Sequence, residues 1–241
     1  MEENEFERMP QQITIPAEEA AAVQAQFITR VFGWMAAGLG LTGGVAMLAS
    51  ASPTLMEMVF GNRLVFFGLI IAEFAVVGFL SARAFEWSRT QVQAAFIGYA
   101  LLNGLTLSFI FLVYTFDSIA STFFISGATF GIMSLYGYFT KQDLLGWGKL
   151  LSMALIGLAI AMVVNFFLMS SGVSMIISFV GVLLFVALTA YDTQKMKQLA
   201  LVGYVQGEEF TDKASVLGAL TLYLDFINLF LFLLRLFGRR R

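Results

Sequence analysis

Ionisable side chains inside long apolar stretches are the residues of this sequence that could do chemistry. Asp225 lies within an apolar run near the C-terminus, and Asp192 closes the apolar run before it. Glu73 lies in the middle of a third apolar run, ten residues before Arg83. A charged side chain at membrane depth costs about 2.5 kcal/mol or more on insertion scales, and it usually faces a partner or a water-filled path. We therefore predict functional roles for these residues.

Two carboxyl groups that meet within hydrogen-bonding range have a characteristic chemistry. They cannot both stay ionised, so the pair shares one proton, and in a low-dielectric site its titration can move toward neutral pH. Such a pair would hold two helices together while protonated, and it would repel or bind a cation once deprotonated. Because calcium prefers oxygen ligands, Asp192 and Asp225 are also candidate calcium ligands. Sequence spacing leaves open whether the two side chains are neighbours.

Asp225 shares a helix face with other small or polar residues. Gly218, Thr221, Asp225 and Asn228 are spaced three, four and three residues apart, which places them in one stripe along a helix. Stripes of small residues are typical of helix packing seams. We therefore interpret the glycine and threonine as packing residues, and we predict that Asp225, Asn228 and Glu73 line an ion pathway. Arg83, taken alone, is interpreted as a cation that reaches the membrane interface.

The composition indicates the membrane as the environment of these residues. The chain has 241 residues, of which 59% are hydrophobic and 12% are charged, whereas soluble domains carry about 25% charged residues. It has no His and no Cys, which excludes a serine–histidine catalytic site and zinc sites with histidine or thiolate ligands. The net charge is −2, and without a basic patch no nucleic-acid partner is expected. No cofactor is predicted apart from calcium as a bound or permeant ion.

Seven stretches are long enough to span a bilayer, which requires about 20 mostly apolar residues. They are residues 31–51, 64–83, 92–114, 119–139, 150–169, 173–191 and 215–237. The polar link at residues 192–214 is the one long connection. The sequence thus predicts an all-α integral membrane protein, with an acidic disordered N-terminal tail at residues 1–29 and one seven-helix transmembrane domain at residues 30–241.

Lysine and arginine residues predict the orientation in the membrane. The links after the first, third and fifth spans hold Arg63 alone, whereas those after the second, fourth and sixth hold seven cations: Arg83, Arg89, Lys141, Lys149, Lys195, Lys197 and Lys213. The N-terminus is therefore predicted to be cytoplasmic. Four C-terminal arginines oppose this assignment if the seventh span crosses completely, so a re-entrant last segment is the alternative. We predict a full crossing, because the last stretch has 23 residues.

Two motifs make the chain resemble the Bax inhibitor-1 family. They are ALTAYDTQKMK at residues 187–197 and ALTLYLDFINLFLFLLRLFG at residues 219–238. The likeness extends over nearly the whole chain, including the acidic N-terminal tail and the glutamate of the second span. The resemblance implies six helices around a central C-terminal helix.

The same resemblance implies a function for a bacterial-type member in the inner membrane. That function is a pH-sensitive calcium leak channel gated by a paired-aspartate sensor, which corresponds to Asp192 and Asp225. Arg83 is the candidate alternative partner of the first aspartate in the open state, and Glu73 corresponds to the family's glutamate. A membrane-bound AAA protease is an implied partner. The alternative is a non-conducting regulatory protein that binds and modulates such a protease.

An intramembrane aspartyl protease is a more remote alternative, because such enzymes also place aspartates on two adjacent helices. They carry Tyr-Asp on one helix, Gly-x-Gly-Asp on the next, and a Pro-Ala-Leu motif. This chain has Tyr191 before Asp192, but Leu-Tyr-Leu-Asp replaces the glycine motif and no proline follows Pro53. We therefore predict that the protein is not an enzyme.

Overall fold

The computed structural model of the protein describes residues 16–241, and this part of the chain is almost entirely α-helical. A single turn of 3-10 helix at Leu145–Trp147 precedes the seventh α-helix. The α-helices are α1 (Ala17–Ser50), α2 (Pro53–Phe60), α3 (Arg63–Arg83), α4 (Arg89–Leu107), α5 (Ile110–Val113), α6 (Phe116–Phe139), α7 (Gly148–Leu168), α8 (Ser171–Gln206) and α9 (Glu208–Phe237).

Seven helical units in residues 16–241 are long and apolar enough to cross a membrane. They are α1, α3, α4 with α5, α6, the 3-10 turn with α7, α8 and α9. This result confirms the all-α, seven-span architecture predicted from composition. The short helix α2 was not predicted. It begins at Pro53 after the N-cap Ser52, whose side chain accepts a hydrogen bond from the Leu55 N–H, as is favourable at a helix start.

Helix α9 occupies the centre of the bundle. Within its most apolar window 72% of the residues are buried, compared with 6% in α3 and 11% in α7. It packs against α1, α4, α6 and α8, whereas α3 packs on α4 and α2, and α7 packs on α8. The predicted central C-terminal helix is thus confirmed, and α3 and α7 form an outer layer of the helices around it.

The first helix begins inside the segment that the sequence analysis assigned to a disordered tail. Residues 1–15 lie outside the described residues, but residues 17–29 are helical, so the tail prediction was wrong for that part. The reason is local. Alanine, glutamate and glutamine are good helix formers, and Glu18 and Glu19 lie in the first turn, where acidic side chains favour the helix dipole.

The predicted polar link at residues 192–214 was also wrong. Helix α8 continues to Gln206 and α9 begins at Glu208, so Gly207 alone separates them. The side chains of Met196 and Ala200 are buried on one face, and this helical spacing was hidden by the polar residues Lys197 and Gln198 between them. Gly207 has φ +97° and ψ 177°, a conformation that is essentially restricted to glycine.

The last helix crosses the whole bundle, which excludes the re-entrant alternative. Near its start, Asp212 forms salt bridges with Arg30 of α1 at 2.9 Å and Arg89 of α4 at 2.7 Å. Beyond its end, the carbonyl oxygen of Arg239 accepts a hydrogen bond of 3.0 Å from the Thr115 N–H. Because Arg89 and Thr115 lie at opposite ends of the α4–α5 unit, α9 extends along its full length.

Candidate functional site: a buried aspartate pair and a polar relay

Asp192 and Asp225 meet because α8 and α9 form an antiparallel hairpin with a one-residue turn. Asp192 lies 15 residues before Gly207, and Asp225 lies 18 residues after it. At about 1.5 Å per residue, these positions are at nearly the same depth. The two carboxyl groups approach within hydrogen-bonding range. The structure therefore brings together the two residues that the sequence analysis selected.

The pair is sealed inside the protein. Each aspartate is 5% exposed, and Oδ2 of Asp225 is buried without a hydrogen-bond partner in the part of the chain that the structure describes. The neighbouring hydroxyls of Thr189 and Thr193 both donate to carbonyl oxygens of their own helix at 2.7 Å. Because an ionised carboxylate can only accept hydrogen bonds, a hydrogen bond between the two aspartates requires one proton in the pair.

Close packing of α8 on α9 depends on small residues on both helices. A side chain at Gly218 would meet Sδ of Met196 at 2.5 Å, and one at Gly181 would meet the ring of Phe232 at 2.6 Å. Glycine at these positions lets the helix backbones approach, as in other membrane helix pairs. The interpretation of Gly218 as a packing residue agrees with this geometry.

Two other predicted site residues are not bound to the pair. Nδ2 of Asn228 donates to the Leu224 carbonyl oxygen of its own helix at 2.8 Å. Arg83 is exposed at the end of α3, and within residues 16–241 it forms no salt bridge. Its role as an alternative partner of Asp192 in an open state remains a prediction.

The pair does not form a cage for a resident cation. Calcium is usually held by six to eight oxygen ligands, and the described residues contain no group of three or more His, Cys, Asp or Glu side chains that could hold a metal. The Oδ2 of Asp225 is nevertheless a buried acceptor without a partner among the described residues. The geometry fits a shared proton better than a permanently bound calcium ion.

Glu73, the third predicted carboxylate, belongs to a second polar cluster. Its Oε1 accepts a short hydrogen bond from the Thr106 hydroxyl, and its Oε2 accepts one of 3.5 Å from Nδ2 of Asn103. Oδ1 of the same asparagine accepts from the Tyr223 hydroxyl at 3.0 Å, and that hydroxyl lies 2.7 Å from Oγ1 of Thr42. We call this chain from Thr42 through Tyr223 and Asn103 to Glu73 the polar relay.

The polar relay and the aspartate pair use opposite sides of α9. Tyr223 and Asp225 are two residues apart, which turns their side chains by about 200° around the helix axis. Tyr223 faces α1 and α4, whereas Asp225 faces α8. The sequence analysis missed Tyr223 and Thr42. The one sequence feature that could have identified them is a hydroxyl group within an apolar run, because a buried tyrosine hydroxyl usually has a hydrogen-bond partner.

A seven-span bundle of apolar helices, with buried carboxyl groups facing each other on its central hairpin, is an integral membrane protein with an intramembrane acid pair. The family model described as "Inhibitor of apoptosis-promoting Bax1" matches residues 24–241. The chain therefore belongs to the Bax inhibitor-1 family, as its two C-terminal motifs predicted.

Bacterial relatives match over nearly their full length. The inner membrane protein YbhL of Escherichia coli is 49% identical over 236 residues, which cover 98% of this chain and 100% of the relative. An uncharacterized protein of Deinococcus radiodurans is 44% identical over 230 residues, covering 95% of this chain and 97% of the relative. One from Borreliella burgdorferi is 40% identical over 219 residues, covering 91% and 94%.

Proposed function

We propose that the protein is a pH-sensitive calcium leak channel of the bacterial inner membrane, with its N-terminus in the cytoplasm and the Asp192–Asp225 pair as its sensor. The observation that carries this proposal is the burial of two facing carboxyl groups on adjacent helices, with Oδ2 of Asp225 unpartnered among the described residues. The E. coli relative YbhL, an inner membrane protein, supports the location. The excess of cations in alternate links supports the orientation.

The mechanism follows from the charge of the pair. With one shared proton, the aspartates hold α8 against α9 at the depth where both helices are buried. Loss of the shared proton removes that hydrogen bond and leaves two ionised carboxylates, which repel each other. Repulsion at this point separates the helices or attracts a cation. Calcium is then the transported ion, and the aspartate oxygens are transient ligands along its path.

Few other charges act on the pair. Lys195, three residues after Asp192 on α8, contributes positive charge at Asp192. Four other cations on the packed helices are engaged elsewhere: Arg30 and Arg89 with Asp212, Lys213 with Glu209, and Lys197 over the ring of Tyr138. Lys149 of α7 and Arg235 of α9 lie near the ends of their helices. The protonation of the pair is therefore governed by its own two carboxyl groups, its burial and Lys195.

Calcium flux from liposomes that contain the purified protein tests the proposal across pH 6 to 8. We expect a leak that changes with pH in the wild type, and loss of this pH response in both Asp192→Asn and Asp225→Asn. Asp117→Asn is the matched control, because Asp117 is an exposed aspartate in the first turn of α6 and should leave the response intact.

Two results would contradict the proposal in different ways. A wild-type leak no greater than that of empty liposomes would reject conduction and would favour the non-conducting regulator of a membrane-bound AAA protease. A leak whose pH response survives in both asparagine variants would reject the sensor assignment alone. Cleavage of a transmembrane substrate that either variant abolishes would instead indicate an aspartyl protease. The burial of both carboxyl groups favours the channel, because a protease must admit its substrate to them.

A further inference from the structure

A groove between α1 and α6 opens on the outer surface of the bundle. Both helices pack on α8 and α9, and they meet at one edge-on ring pair, Phe32 and Phe130, whose centroids are 6.4 Å apart. The groove has a volume of about 610 Å³, and Phe226 of the central helix forms its floor. Its outer edge is formed by Leu135 and Phe139, which are 60% and 72% exposed. Apolar surface is thus accessible from the side of the bundle.

The length of the groove matches one leaflet of a bilayer. On α1 it extends from Ala25 to Leu39, which is about 21 Å of helix. On α6 it extends from Phe139, at the helix end, inward to Gly127. One leaflet of a bilayer, with its headgroup region included, is about 20 to 22 Å thick. The groove therefore starts at one membrane face and ends near the middle of the membrane.

The size of the groove favours a single lipid chain over a transmembrane helix as its occupant. A spanning helix is a cylinder about 10 Å wide and 30 Å long, with a volume of roughly 2,000 Å³. A space of about 610 Å³ that reaches only half-way through the membrane is much smaller than such a helix and does not follow its full length. A single extended hydrocarbon chain that enters from one leaflet satisfies both restrictions.

Polar groups are found at the end of the groove that lies at the membrane face. The hydroxyl of Ser134, 5% exposed, has no hydrogen-bond partner in the described chain, and it lies about 8 Å inside the end of α6. Nζ of Lys197 donates to the carbonyl oxygen of Tyr138 at 2.7 Å and lies over its ring, which leaves two of its three N–H groups for another acceptor. Lys141 follows the end of α6 in the sequence.

We propose that this groove is a phospholipid-binding site that holds one acyl chain against Phe226. The ester carbonyl of the lipid accepts a hydrogen bond from Ser134, and its phosphate lies near Lys197 and Lys141. An anionic phospholipid is preferred, because the cations at the end of the groove add to the binding. The proposal is independent of calcium conduction, because it depends on the α1–α6 surface alone.

Photo-crosslinking in liposomes tests the site with a probe of defined chemistry. The probes are phosphatidylglycerol and phosphatidylcholine, each with a diazirine in one acyl chain, and labelled residues are mapped by peptide mass spectrometry. Gly131→Leu fills the groove, since no atom lies within 4 Å of a Cβ at Gly131. Gly157→Leu is the matched control, because Gly157 has the same free space but lies exposed on α7.

We expect labelling of residues 25–39 and 127–139 to exceed that of α7 several-fold. We also expect Gly131→Leu to reduce the groove labelling at least threefold and Gly157→Leu to leave it unchanged. Ala36→Leu fills the groove from α1 and should repeat the effect if Gly131→Leu folds poorly. Lys197→Gln should lower the ratio of phosphatidylglycerol to phosphatidylcholine labelling.

Three outcomes would overturn the proposal. The first is groove labelling equal to that of the α7 surface, and the second is labelling that neither filling variant reduces. The third is efficient crosslinking of two copies of the chain through α1 and α6, which would assign the groove to a dimer interface. An unchanged lipid ratio in Lys197→Gln would reject the assignment of the phosphate to Lys197.

Discussion

The hydroxyl of Tyr223 in α9 donates a hydrogen bond of 3.0 Å to Oδ1 of Asn103 in α4. This contact decides the orientation of the amide, because Oδ1 must accept and Nδ2 is then directed to Glu73 on α3. A peripheral helix with few buried residues is thus connected to the central helix through one asparagine. The ring of Tyr223 also packs edge-on against Phe96 and Tyr99, so the polar relay lies within an aromatic cluster.

Tyr223→Phe should destabilise the protein while keeping this aromatic packing. The substitution leaves Oδ1 of Asn103 buried without its donor, and an unsatisfied buried polar group costs about 1 to 3 kcal/mol. Thermal unfolding in detergent should show a lower Tm. Tyr204→Phe, which removes the hydroxyl of a tyrosine that is 45% exposed, is the control. Equal Tm values for the two variants would contradict a stabilising role for the relay.

Gly207→Ala should weaken the α8–α9 hairpin. With φ +97° and ψ 177° at this residue, an alanine would be strained by about 1 to 3 kcal/mol, or the turn would shift and move Asp192 relative to Asp225. Chemical denaturation should therefore show a lower free energy of unfolding. In Gly157→Ala, on an exposed face of α7, the same change should be neutral or stabilising. A Gly207→Ala variant as stable as the wild type would mean that the turn has another conformation.

Gly137→Ala should separate α6 from α8. A Cβ at Gly137 would overlap the carbonyl oxygen of Ala190, and a backbone atom cannot move aside as the end of a flexible side chain can. Overpacking of this kind costs about 1 to 3 kcal/mol, so the folded yield and the Tm should both fall. Gly131→Ala, on the same helix with open space around its Cβ, should have little effect. Similar yields for both variants would contradict the close approach.

Asp212→Asn should loosen the start of α9. Asp212 has a side chain that is 10% exposed, and it binds both Arg30 and Arg89, whose side chains are 38% and 56% exposed. Because water can solvate the released arginines, we expect a loss of about 1 kcal/mol. The difference from the wild type should shrink as salt is added. Glu209→Gln is the comparison, because the exposed Glu209 forms a single salt bridge with Lys213 on the same helix. A salt-independent difference would indicate packing rather than charge.

The sequence predicted the number of spans, the central helix and the identity of the two facing aspartates, for two different reasons. Spans follow from composition, because about 20 apolar residues suffice to cross a bilayer. The central position of α9 and the pairing of Asp192 with Asp225 came from the resemblance to a family. Spacing alone could not supply the pairing, because residues 192–214 were interpreted as a loop and the similar distances of the two aspartates from Gly207 were therefore hidden.

The polar relay and the groove could not be predicted, because both depend on how the helices are rotated about their axes. Whether Tyr223 faces Asn103 or lipid is decided by the packing of four helices, and local sequence does not specify it. The ends of α1 and α8 were missed for another reason. Polar residues can continue a helix beyond the membrane, so the end of an apolar run does not mark the end of the helix.

The residues after α9 determine where anything attached to the C-terminus would be. The Arg241 N–H donates to the Val113 carbonyl oxygen at 3.0 Å, and Arg240 forms an antiparallel bridge with Tyr114. The chain end is therefore fastened beside the α5–α6 connection, at the membrane face opposite the α8–α9 turn. With seven crossings and the proposed cytoplasmic N-terminus, a reporter that fluoresces only in the cytoplasm should be bright when fused to the N-terminus and dark when fused after Arg241.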